Sequence, residues 1–262
     1  MKKSVAVAAL GLLASRTSIS AQGVSPPAAE ELMAITRRGI LLTEYDRAAW
    51  HASDALQAAN PKTAEGQRCV AKKENGEWHV VFGRLNADKS LFRIYYEAVQ
   101  QGKPQEFAVS AETAGRADNG FYLFAARAIE VALEDFRGEK RPYNVAVLPA
   151  REDRLFVYVY PAETVPRIHP LGGDVRYLLS ADGKKIIEKR QMHNSILESR
   201  PSEKGKKPAA GMHSHAPADL PEDTDVFHVL TEDPPVPETI DTAHFVYRVQ
   251  TDGTIAVVKV KK

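Results

Sequence analysis

The sequence predicts an α+β fold in which antiparallel sheets, built from a meander and hairpins, are covered by two main helices. Apolar residues recur every three to four positions over about 27–59 and 118–137, which is the spacing of an amphipathic helix. Outside these regions, short runs alternate apolar and polar residues, as strands do. The segments that link those runs are too short for helical crossovers, which favours antiparallel pairing.

Capping residues and helix breakers mark the ends of the two predicted helices. Ser25 is a suitable N-cap for the first helix, and the Pro26 that follows it is tolerated in a first turn. Pro61 ends the same pattern, because proline lacks the amide that a helix interior needs. Asp118 can cap the second helix, which is expected to stop at Gly138.

The predicted strands fall into a meander and a later series of hairpins. About four strands are expected over residues 67–110, where Asn75-Gly76 separates two alternating runs. Asn-Gly between such runs is the strongest short signal of a β-hairpin. The second half is expected to contain strands and no further helix. Its strand candidates are residues 145–148, 155–160, 175–179, 185–189, 226–230, 244–249 and 255–260.

Residues 1–21 have the pattern of a secretory signal peptide. Lys2 and Lys3 precede a short apolar stretch, and Ala21 offers a small residue before Gln22. The stretch is about half of the roughly 20 residues that a membrane-spanning helix needs. We therefore expect a periplasmic or secreted protein that begins at Gln22 and does not span a membrane. N-terminal sequencing of the exported chain checks this expectation.

The mature region, residues 22–262, is expected to be globular, with one core or two subdomains. The most natural division gives a helix-meander-helix region over 22–164 and a β-rich region over 165–262. The polar, basic composition of residues 198–211 predicts a mobile surface loop. The 35 basic and 34 acidic residues nearly balance, so specific nucleic-acid binding is not expected.

The histidines suggest a metal site. Six of the eight lie from His169 onward, and histidine is the commonest metal ligand. His213 and His215 project to the same side if their segment is extended, so both can bind one ion. Asp225 is the predicted oxygen ligand and His193 a further nitrogen ligand, with His228 as the alternative to His193. Other carboxylates considered for the same role are Asp219, Glu222 and Asp223.

The cofactor candidates are zinc and copper. Zinc is a candidate because imidazole nitrogens and carboxylate oxygens are common zinc ligands. Copper is added because Met192 and Met212 each immediately precede a histidine, and a thioether with an imidazole suits copper(I).

The segment from His213 to Asp225 resembles the zinc signature of the JAMM metallopeptidase family, in which His-x-His is followed by a serine and then an aspartate. The resemblance implies that His213, His215 and Asp225 bind zinc, with an activated water in the fourth position. Glu222 stands where that family has serine, the spacing is one residue shorter, and no upstream glutamate can be assigned as the base.

The chain as a whole resembles uncharacterised exported bacterial proteins with a β-rich C-terminal half. Residues 171–177 and 224–230 carry this resemblance. No nucleophile, base and orienting acid can be assembled from the sequence. The leading functional hypothesis is therefore an exported module that binds an envelope protein or a cell-surface component. The alternative is a histidine-dependent metal protein, which includes a zinc hydrolase.

Overall fold

The computed structural model describes residues 25–59, 61, 66–165, 168–198, 210–215 and 218–261. Helices and largely antiparallel sheets together form an α+β fold, as the sequence predicts. The described residues contain three helices: α1 (Ala29–Ala58), α2 (Phe121–Asp135) and α3 (Asp223–Thr231). None of the described helices is both long and apolar enough to cross a membrane.

The first sheet is the antiparallel meander predicted for residues 67–110, with a longer final strand. Asn75 and Gly76 both have positive φ, 50° and 91°, and form the tight turn of its first hairpin. Neighbouring strands pair in sequence order. The strands are β1 (Arg68–Glu74), β2 (Glu77–Leu85), β3 (Phe92–Gln101) and β4 (Lys103–Asp118).

The middle of the chain forms a second four-stranded sheet and a short two-stranded one. Its strands are β5 (Tyr143–Pro149), β6 (Leu155–Pro161), β7 (Pro170–Gly172), β8 (Val175–Leu179), β9 (Ile186–Gln191) and β10 (Ile196–Glu198). The four-stranded sheet has the order β5-β6-β8-β9, and β7 pairs with β10. Because β6 pairs with β8, hydrogen-bonded strands join the regions before and after residue 165.

The C-terminal sheet contains a parallel strand pair that the sequence did not predict. Its strands are β11 (Gly211–Ser214), β12 (Glu238–Asp241), β13 (Phe245–Val249) and β14 (Ile255–Val260). β11 and β12 run parallel, and the other neighbours are antiparallel. The prediction of antiparallel connections was wrong for this pair, because α3 provides the crossover that parallel strands need.

The helix α3 replaces the strand predicted for residues 226–230. The run Val-Phe-His-Val-Leu has high β-propensity, but a capping box formed by Glu222 and Asp225 starts a helix immediately before it. The predicted loop over 198–211 falls mostly on residues 199–209, which lie outside the described part of the chain, as does the predicted signal peptide. Glu198 ends β10 and Gly211 begins β11.

The sheet of β1–β4 and the sheet of order β5-β6-β8-β9 lie between α1 and α2. Alternate residues of the strands point to opposite faces, so Val157 packs in the cluster around α2 while Tyr158 packs in the cluster around α1. A third cluster joins the beginning of α1 to α3 and the C-terminal sheet through Leu32, Val226 and Tyr247. The helix α1 therefore contributes to two of the three hydrophobic clusters and contacts all three four-stranded sheets.

Gly39 allows α1 and α3 to approach closely, so Gly39→Ala is expected to lower the free energy of unfolding by about 1–3 kcal/mol. An added Cβ atom would overlap Cβ of Val226 and lie 2.6 Å from the carbonyl oxygen of Asp223. Urea unfolding checks this, with the exposed neighbour variant Arg37→Ala as control. A stabilised Gly39→Ala protein would show that helix propensity outweighs the overlap.

Candidate metal centre

Four side chains from three parts of the fold converge on one buried point. His193 follows β9, His213 lies in β11, His215 follows that strand, and Asp225 lies in the first turn of α3. Their ligand atoms all lie within 4.8 Å of one another. The structure thus brings together all four residues that the sequence selected as metal ligands.

The distances between the four groups are those of atoms that surround one ion. Nε2 of His215 lies 2.9 Å from Nε2 of His193 and 3.0 Å from Nε2 of His213. Oδ1 of Asp225 lies 3.1 Å and 3.0 Å from the same two nitrogens. Ligand atoms about 2.0–2.1 Å from a tetrahedral zinc ion lie about 3.3 Å apart. These four contacts are slightly shorter and the widest separation in the group is within 4.8 Å, so the side chains would adjust around an ion.

Each imidazole is oriented by a hydrogen bond on its other nitrogen. Nδ1 of His193 lies 2.8 Å from Oδ1 of Asp174, and Nδ1 of His213 lies 2.8 Å from Oε1 of Glu238. Nδ1 of His215 lies 3.1 Å from the carbonyl oxygen of Leu220. Carbonyl and carboxylate oxygens accept hydrogen bonds, so each Nδ1 carries a proton, and each Nε2 presents a lone pair when the ring is neutral.

The first turn of α3 fixes the carboxylate of Asp225. The backbone N–H of Glu222 donates to Oδ2 of Asp225 at 2.6 Å, as in a capping box. The same Oδ2 lies 3.3 Å from Nε2 of His215. The helix cap and the histidine cluster therefore share one carboxylate, and its side chain is fully buried.

Electrostatics in the cluster favour positive charge beside Asp225. Burial disfavours a charged His193, but the carboxylates of Asp174 and Asp225 outweigh burial and raise its pKa well above 6.5. Burial opposes the same change at His213, where hydrogen bonds to Asp225 and Glu238 raise the pKa to about 9. Burial would raise the pKa of Asp225, yet the nearby imidazoles hold it well below 3.8.

The other acids considered as ligands have different partners. Asp223 accepts hydrogen bonds from Arg38, from Nη1 of Arg176 at 2.6 Å and from the Tyr158 hydroxyl at 2.8 Å. Nη2 of Arg190 donates to Glu222 at 2.6 Å, and Nδ1 of His244 lies 2.6 Å from Asp219. Of the four carboxylates weighed from sequence, only Asp225 reaches the cluster.

The methionine side chains do not join the histidines. Met192 is buried in the hydrophobic cluster around α1, and its sulfur lies 3.8 Å from the Thr224 hydroxyl. Met212 is 72% exposed, because it points to the opposite side of β11 from His213. The donor set is thus nitrogen and oxygen, which suits zinc better than copper(I).

Sequence reasoning missed the groups that orient the imidazoles. Asp174 directly follows Gly172-Gly173, and Glu238 follows a proline-rich connector. No local pattern links either acid to a histidine, since Asp174 lies 19 residues from His193 and Glu238 lies 25 residues from His213. Only the strand arrangement places these pairs in contact.

The fold and the cluster define an α+β protein with a buried three-histidine, one-aspartate group that has the composition of a transition-metal site. Comparison with protein families, with curated proteins and with solved structures finds no match. The geometry of this group is therefore the basis for assigning a function.

Proposed function

We propose that the protein binds a divalent transition metal, with zinc as the first candidate, at the centre formed by His193, His213, His215 and Asp225. One observation carries the proposal: three imidazoles present Nε2 to a shared point beside a carboxylate, while their Nδ1 atoms are engaged elsewhere. Lone pairs this close repel one another unless a proton or a metal cation lies between them, and a metal that binds here displaces the protons.

The buried charges around the centre support a divalent ion. Five acids are buried among the described residues, and all of them lie in this region. Three arginines pair with Glu222 and Asp223. The other three carboxylates, those of Asp174, Asp225 and Glu238, contact the histidines. With the imidazoles neutral, as metal binding requires, an ion of charge +2 brings five positive charges against five negative ones, and buried charges need such compensation. The acids are Asp174, Glu222, Asp223, Asp225 and Glu238.

The geometry favours a structural role for the metal over a hydrolytic one. Four protein groups form a closed set, as in structural zinc sites, whereas catalytic zinc keeps a position for water. The JAMM resemblance implies water in the fourth position, but the imidazole of His193 lies there, 3.1 Å from Asp225. The ion would then join β9, β11 and α3. A zinc hydrolase and an exported envelope-binding module remain hypotheses from sequence.

Metal analysis of protein purified without a His tag tests the proposal. After reconstitution with zinc, about one equivalent is expected in the wild type, and less than about 0.2 equivalent in His213→Ala/His215→Ala. The matched control is His51→Ala/His244→Ala, which removes two histidines outside the centre and should keep its zinc. Unchanged binding in the first double variant would refute the assignment.

A further inference from the structure

Glu238 is a buried carboxylate placed at the edge of the proposed centre by strand pairing. It begins β12, is 7% exposed, and its Oε1 lies 2.8 Å from Nδ1 of His213. β11 and β12 run parallel with Gly211 opposite Glu238 and His213 opposite Ile240. The Glu238 side chain therefore extends along the neighbouring strand β11 from Gly211 to His213.

Gly211 provides the space that this carboxylate occupies. A Cβ atom added at residue 211 would overlap Oε2 of Glu238 and lie 2.6 Å from its Cδ. Gly211 does not have the positive φ that often makes glycine necessary. The missing side chain, and not backbone freedom, is the reason that glycine suits this position.

We infer that Gly211 and Glu238 act as a positioning pair that sets the metal affinity of the centre, an inference that rests on the proposed function. Glu238 does not belong to the four converging groups and acts through His213. Oε1 of Glu238 accepts a hydrogen bond from Nδ1 of His213. This bond orients the imidazole so that Nε2 faces the other ligand atoms, and it makes Nε2 a stronger metal ligand. Gly211 is required because any larger residue displaces the carboxylate.

Zinc affinity, measured by competition with a chromophoric chelator, tests the inference. Loss of a second-layer partner usually weakens binding about 10- to 100-fold, and that loss is expected in both Glu238→Ala and Gly211→Ala. The double variant should bind about as weakly as Glu238→Ala alone, because both changes remove one interaction. Met212→Ala, on the exposed side of the same strand, is the matched control and should stay within about twofold of wild type.

Absorption spectra of the cobalt-loaded protein distinguish a change in the orientation of His213 from a general loss of stability. The ligand-field bands of the cobalt-loaded protein should shift in Gly211→Ala and Glu238→Ala and stay unchanged in Met212→Ala. Glu238→Gln retains an oxygen acceptor of the same shape, so it should restore the wild-type bands and recover part of the affinity. It also serves as the readout if Glu238→Ala fails to fold.

The outcomes distinguish this inference from the proposed function. A wild-type protein that binds neither zinc nor cobalt contradicts the metal centre itself. A wild type that binds zinc, with Gly211→Ala within about threefold of its affinity, leaves the centre intact and overturns the positioning pair. Strictly additive losses in the double variant would likewise show that the two residues act separately.

Discussion

Removal of the metal from the loaded protein is expected to lower the free energy of unfolding by about 4 kcal/mol when free zinc is near 1,000 times its dissociation constant. The ligands lie in or next to β9, β11 and α3, so the complete set exists only in the folded chain. An ion that binds only the folded state stabilises it by mass action. Urea unfolding with and without excess chelator measures the difference.

The control for this experiment is the His213→Ala/His215→Ala variant, in which the chelator should have no effect on the urea midpoint. The two proteins must be compared at the same free zinc concentration, because the stabilisation depends on it. A wild-type midpoint that does not respond to the chelator, in protein shown to contain zinc, would contradict the stabilising role.

Asp223→Ala is expected to lower the free energy of unfolding by about 3–5 kcal/mol, independently of any metal. The carboxylate is fully buried, and Arg38, Arg176 and Tyr158 all donate to it. Its removal leaves the guanidinium of Arg176, whose side chain is only 12% exposed, without its compensating charge.

Chemical denaturation of metal-free protein measures this loss, and Asp54→Ala is the matched control. Asp54 is an exposed residue of α1, so its replacement should change stability by no more than about 0.5 kcal/mol. A loss of less than about 1 kcal/mol in Asp223→Ala would show that the arginines find other partners or water.

Elements with a strong local pattern could be predicted from sequence. α1, α2 and the meander β1–β4 have regular apolar spacing and clear turn residues such as Asn75-Gly76, and these signals act over a few positions. The sequence predicts a strand where α3 lies, because residues 226–230 have high β-propensity. The Glu222 and Asp225 capping pair is the signal that could have found the helix.

The sequence by itself determined the two long helices, the meander and the candidate donors, because helix periodicity, turn chemistry and side-chain type are local properties. His213 and His215 were recognisable as a pair since alternate residues of one strand share a side. Only the tertiary structure decided that His193 and Asp225 join them, that Asp174 and Glu238 orient the rings, and that Asp223 does not take part. These contacts depend on a parallel crossover and on packing between distant segments, which no local pattern encodes.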